Sequence, residues 1–240
     1  MKQIFFLLLA AAISLPSCRY AFGKRVRGNG NVRTEDRSLG NFQSVSSFGQ
    51  YNVYLTQSSD YKVSVEAEDN LLPYIETYVE NGELKVRTKE GYRLSNSREI
   101  SVHVSAPSFS AISTVGSGDI IVQNQINNSS PISLHATGSG DIKANLNAPE
   151  VKADVTGSGS INLQGETKSF NGEILGSGNI KAFDLKSENT DIEISGSGDA
   201  DVFASVKLSV EVNGSGDVKY KGAGQVASNI HGSGSVKKVD

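Results

Sequence analysis

The stretch Val151–Leu163, VKADVTGSGSINL, alternates along its whole length. Val151, Ala153, Val155, Gly157, Gly159, Ile161 and Leu163 are apolar or glycine, while Lys152, Asp154, Thr156, Ser158, Ser160 and Asn162 fill the other parity. Period-two alternation marks a strand with one buried face. Here it passes through two glycines without losing phase, so the glycines are expected to face inward. Glycine at a sharp bend over a narrow core supplies backbone freedom and takes no volume.

The phrase recurs. Gly-Ser-Gly begins at 116, 138, 157, 176, 196, 214 and 232, with separations of 22, 19, 19, 20, 18 and 18 residues. A near-constant period of this length belongs to a solenoid. The same parity holds for Leu134, Ala136, Gly138, Gly140, Ile142, Ala144 and Leu146, and again for Leu208, Val210, Val212, Gly214, Gly216 and Val218. Between the copies, Asn147-Ala148-Pro149-Glu150 and Gln164-Gly165-Glu166 read as turns that reset the phase. Each rung is therefore expected to be two short strands meeting at a glycine corner. A glycine costs about 0.5–1 kcal/mol in chain entropy. An inward Val, Ile or Leu gains about 1.5–3 kcal/mol when buried, so burial outweighs the corners. One rung cannot cover its own apolar face, which makes stacking obligatory. Crossovers between parallel strands of one sheet are right-handed in about 98% of cases, and the hexapeptide period of left-handed coils is absent. The expected fold is all-β, a single-stranded right-handed parallel β-helix.

Two degenerate copies extend the pattern upstream, Gly28-Asn29-Gly30-Asn31-Val32 and Gly49-Gln50-Tyr51-Asn52-Val53. The 67 residues from Gly49 to Gly116 then break the period. Within them Tyr61–Ala67 reads as a strand, Asp69–Ile75 as a short helical turn, and Asn81-Gly82 as a hairpin turn before Leu84. This decorated N-terminal segment, with its short helix and hairpin, is expected to cap one end of the coil.

The chain opens like an exported protein. Lys2 is a positive n-region, and Ile4–Ile13 is an apolar run too short to span a bilayer. Leu15-Pro16-Ser17-Cys18 resembles a bacterial lipobox, in which cleavage precedes the cysteine and its thiol carries lipid. The organisation expected is a lipoprotein signal peptide over 1–17, a lipid-anchored linker over 18–27 and one β-helix domain over 28–240. Residues 48–112 form its irregular part and 113–240 its regular repeats. Cys18 is the only cysteine, so no internal disulfide can form. More than one acyl chain there would hold the domain stably at a membrane. The expected location is the cell envelope, as an outer-membrane lipoprotein.

GNFQSVSSFGQYNVYLTQ (40–57), VEAEDNLLPYIETYVENGELKV (65–86) and the later GSGDI series resemble the landmarks of the auto-transporter adhesin, head GIN domain family of Bacteroidetes-type lipoproteins. The likeness covers about residues 28–236. It implies a β-helix in the cell envelope and carries over no catalytic or binding residues. The series of strands that builds a membrane barrel is not expected in a chain ending at Asp240.

The net charge of −3, with basic residues scattered, gives no electrostatic footprint for nucleic acid. There is no Walker loop, dinucleotide fingerprint or nucleophile elbow, and His103, His135 and His231 stand far apart, so no cofactor is expected. The outward Asp119, Asp141, Asp199 and Asp217 fall in one column. They are candidates for divalent binding between Asp119 and Asp141 or between Asp199 and Asp217, or else for turn hydrogen bonds on a solvated ladder. Tyr54, Tyr74, Tyr78 and Tyr92 cluster before the repeats as candidate contacts to a glycan or protein ligand, with packing of the cap as the competing role. The leading expectation is a non-enzymatic, lipid-anchored envelope protein that presents a binding surface in adhesion. The alternative is a polysaccharide lyase or hydrolase with carboxylates converging from neighbouring rungs.

Overall fold

The computed structural model describes residues 23–240; the expected signal peptide and Cys18 lie outside them. The described chain contains no α-helix and stacks its parallel strands into a β-solenoid of about 6 turns. Register shows how regular the stack is. Gly49 pairs with Gly116, and the column continues through Gly138, Gly157, Gly176, Gly196, Gly214 and Gly232. The inward residues align likewise: Val155, Ile174, Ile194 and Val212 form one buried column, and Ile120, Ile142, Ile161, Ile180, Ala200 and Val218 another. Where Gly172 lies between Ala153 and Ile192, a Cβ would come 2.8 Å from Ile192 Cδ1, so the isoleucine fills the space the glycine leaves.

The corners differ from the expectation in direction. The second glycines from Gly118 to Gly216 are buried, but the first glycines from Gly116 to Gly214 are half-exposed, and φ lies between +109° and +145° from Gly116 to Gly232. Their missing Cβ would point along the stack, not into the core. At Gly157 it would fall 2.6 Å from the carbonyl oxygen of Gly138. That carbonyl is already engaged, accepting the N–H of Ser158 at 2.8 Å and of Gly159 at 3.0 Å. The same bond from serine N–H to the preceding rung's glycine carbonyl recurs from Ser117 to Ser233 at 2.8–2.9 Å. The repeated phrase therefore brings two backbones into bonding contact at a corner. Its serine points to solvent throughout.

Two strands per rung hold toward the C-terminal end, as in Asp199–Phe203 and Lys207–Gly214, but merge in the central rungs. Ladder pairing runs unbroken enough that Ile142–Gly157, Ser160–Gly176 and Asn179–Gly196 are single long strands. What the turn residues do is reset the phase. Pro149 and Glu150 both face outward before Val151 turns in, and Lys168 and Ser169 do the same before Phe170.

At the N-terminal end the sheets change character. Asn52–Gln57 pairs parallel with Ser101–Ala106, which pairs antiparallel with Lys62–Glu68, itself antiparallel to Val32–Arg37. The hairpin Ile75–Glu80 and Glu83–Thr88 turns at Asn81 (φ +53°) and Gly82 (φ +77°), and the helical turn is a 3-10 turn at Leu72–Tyr74. Tyr51 is fully buried, as its parity requires. Gly28, by contrast, belongs to no glycine column. It crosses Glu68, where a Cβ would lie 1.9 Å from the carboxylate. Glu68 is 0% exposed. Its oxygens accept the N–H of Gly30 at 2.6 Å, the Ser97 hydroxyl at 2.7 Å and the Ser97 N–H at 2.9 Å.

Candidate functional site

The aspartate column is real, and its chemistry is inter-rung bonding. Asp119 Oδ1 accepts the N–H of Asp141 at 2.9 Å, Asp141 Oδ1 that of Ser160 at 2.8 Å, and Asp199 Oδ1 that of Asp217 at 2.8 Å. Asp217 accepts the Ser235 hydroxyl, and Asn179 stands in for aspartate beneath Asp199. A carboxylate here reaches one rung further and caps a corner N–H. Repulsion between neighbouring carboxylates about 4.8 Å apart is about 0.9 kcal/mol in water, less than a charge-assisted hydrogen bond of about 1.5–3 kcal/mol. Among the described residues no three His, Cys, Asp or Glu side chains converge as a metal site would require. Asp141→Asn keeps the acceptor and should leave stability within about 0.5 kcal/mol. Asp141→Ala should cost about 1–2 kcal/mol, the lost bond of about 1.5–3 kcal/mol less the relieved repulsion of about 0.9 kcal/mol, measured by urea unfolding. A millimolar calcium titration of the parent and an Asp119→Asn, Asp141→Asn variant reads cation binding directly, as a melting-temperature rise in the parent alone.

The structure divides the four tyrosines. Tyr54 stacks on His103 with ring centres 5.1 Å apart and donates to Glu99 Oε1 at 3.0 Å, which raises its pKa. Tyr74 packs on Tyr92 at 4.6 Å, and Tyr78 lies under the Arg87 guanidinium at 5.2 Å. They form no single aromatic platform.

A second acidic column went unread in the sequence although its signal is plain: the residue three before each corner glycine. His135, Asp154, Glu173, Glu193 and Glu211 occupy that place on successive rungs. His135 Nδ1 and Lys152 Nζ both meet Asp154 Oδ2, at 2.9 and 3.1 Å. The recess beside them is small, about 140 Å³.

A groove of about 440 Å³ crosses the rungs elsewhere on the coil. Its floor is the column Ala148, Thr167 and Ser187, small side chains at most 8% exposed. One rim carries Asn147, Glu166 and Lys186 in register, the other Pro149, Lys168 and Glu188. Phe203 closes one end, its carbonyl accepting both the Ser187 and Thr190 hydroxyls. The groove exists because small residues recur at the inward position between two outward ones.

Comparison with known proteins agrees with this architecture. Residues 41–224 match the family described as "Putative auto-transporter adhesin, head GIN domain". The chain belongs to this family. A search of curated proteins finds no match. Among solved structures, a "putative adhesin" from Bacteroides fragilis superposes with TM-score 0.83 at 22% identity, covering 89% of this chain and 100% of that one. A "putative lipid binding protein" from Parabacteroides distasonis gives 0.77 at 26%, covering 90% and 100%. A "putative adhesin" from the same species gives 0.72 at 26%, with the same coverage. The head GIN match includes the groove, both acidic columns and the four tyrosines, and ends within the last rungs.

Proposed function

We propose that this head GIN protein is a non-enzymatic, lipid-anchored adhesin of the cell envelope. The observation that supports the reading is the strict rung register. It sets side chains in parallel columns along a stiff rod, and extended faces of this kind serve repeat proteins as binding surfaces. The family's description as an adhesin head domain points the same way. Cys18 is the anchor in this reading, attaching the rod to the outer membrane through acyl chains. Metabolic labelling with a palmitate analogue should mark the parent and not Cys18→Ala, which should move from the membrane to the soluble fraction. Labelling of both, or of neither, contradicts the anchor.

The adhesion reading is tested by incubating the purified protein with glycan and envelope-protein panels, scoring retention and product release separately. Retention without turnover is the expected result. The lyase or hydrolase alternative would draw on Asp154, Glu173, Glu193 and Lys152, which share one recess, and product release lost in Glu173→Gln would establish it.

A further inference from the structure

We infer that the groove over Ala148, Thr167 and Ser187 binds an uncharged, extended glycan, an inference that rests on the adhesin reading and specifies its ligand. The charges on the rims carry the argument. Glu166, Lys168 and Glu188 are exposed, and among the described residues neither they nor Lys186 enters an ion pair. Lys186 instead donates to the Phe183 carbonyl at 3.2 Å and lies 4.4 Å from the Phe203 ring centre. Acid faces base across the groove on one rung, Glu166 against Lys168, and base faces acid on the next, Lys186 against Glu188. The four charges cancel, so the groove has no field to draw a polyanion or a polycation. What remains is three exposed charged side chains, Glu166, Lys168 and Glu188, that hold no hydrogen bond among the described residues and can bond a ligand rich in hydroxyl groups.

Other ligands fit less well. The floor strands already pair on both sides, so an extended peptide finds no free edge to join. A lipid chain needs an apolar lining, whereas here the apolar groups are only Ala148, Pro149 and Phe203. The lining runs from Asn128 to Ser205 over five successive rungs, about 19 Å at the spacing between neighbouring strands. That length accommodates several sugars of a linear chain. The groove face is presented by long strands, so a ligand would meet a preformed surface.

The test uses the full chain and calorimetric titration with hexasaccharides cut from cellulose, mannan, xylan and dextran, with polygalacturonate and heparin fragments as charged controls. At least one neutral hexasaccharide should bind, with affinity unchanged between low and high salt. The Glu166→Ala, Lys168→Ala double variant should bind it at least about tenfold more weakly at an unchanged melting temperature, and Glu188→Ala should weaken it in the same direction. Equal binding by parent and variants overturns the inference, as does binding confined to the acidic fragments. Absence of binding by every neutral hexasaccharide overturns it too. In that case retention of the full chain on an envelope-protein panel would show that the adhesin reading stands without this groove.

Discussion

Gly157→Ala should lose about 2–6 kcal/mol of folding stability, the sum of about 1–3 kcal/mol of backbone strain and two weakened hydrogen bonds of about 0.5–1.5 kcal/mol each. The strain arises because φ at this residue is +112°, a region L side chains rarely adopt. The bonds suffer because the new methyl would stand 2.6 Å from the Gly138 oxygen that the Ser158 and Gly159 N–H groups share. The obstacle is backbone on a neighbouring rung, which cannot swing aside as a side chain can. Two controls isolate the cause. Ser158→Ala changes an exposed residue in the same corner, and Gly40→Ala places a methyl where nothing lies within 4 Å. Both should stay within about 0.5 kcal/mol of the parent. Urea unfolding of the three variants decides the matter. A Gly157→Ala protein as stable as the Gly40→Ala protein would mean that the corner is not a site of forced close approach.

Glu68→Gln should lower the melting temperature by several degrees at neutral pH and by almost nothing in acid. Burial pushes the Glu68 carboxyl up, but the Ser97 hydroxyl and the N–H groups of Ser97, Gly30 and Arg98 outweigh it and hold the group below its ordinary 4.5. A carboxyl depressed in the folded state contributes stability that is fully present above its unfolded value and lost as pH falls through the folded one. The parent should therefore lose stability relative to the variant across the lower end of the carboxylate range, and their melting curves should converge there. The difference between the two proteins cancels the titration of the other acids. A gap that stays constant from neutral pH to acid would show that Glu68 is held as the neutral acid. The effect is expected to be large because this one side chain joins the end of Lys62–Glu68 to two crossing segments, at Gly30 and Ser97.

The rung was legible in the sequence because its cause is local. Alternation from Val151 to Leu163 states which residues face inward, and the recurring glycines give the period. The inward columns and the outward serines follow from those alone. Three features were hidden because they depend on contacts between distant segments. Gly28-Asn29-Gly30 has the lettering of a corner, yet it lies over Glu68 because Val32–Arg37 runs antiparallel to Lys62–Glu68. Parity places Glu68 outward with Glu66, and it is buried only because the segments carrying Gly30 and Ser97 cover it. The groove is composed of one small floor residue per rung, Ala148, Thr167 and Ser187, which become a channel only once register aligns them. The acid three places before each corner glycine was visible in every copy from Asp154 to Glu211.

The glycine column also bears on how such a chain can change its size. Each corner meets the one before it through the same serine N–H and the same carbonyl, so the join between two neighbours is interchangeable with the join between any other two. Gain or loss of one period would return the backbone to an equivalent corner and leave both ends with familiar surroundings. The length of the coil thus becomes a matter of copy number, while the fold itself need not be reinvented.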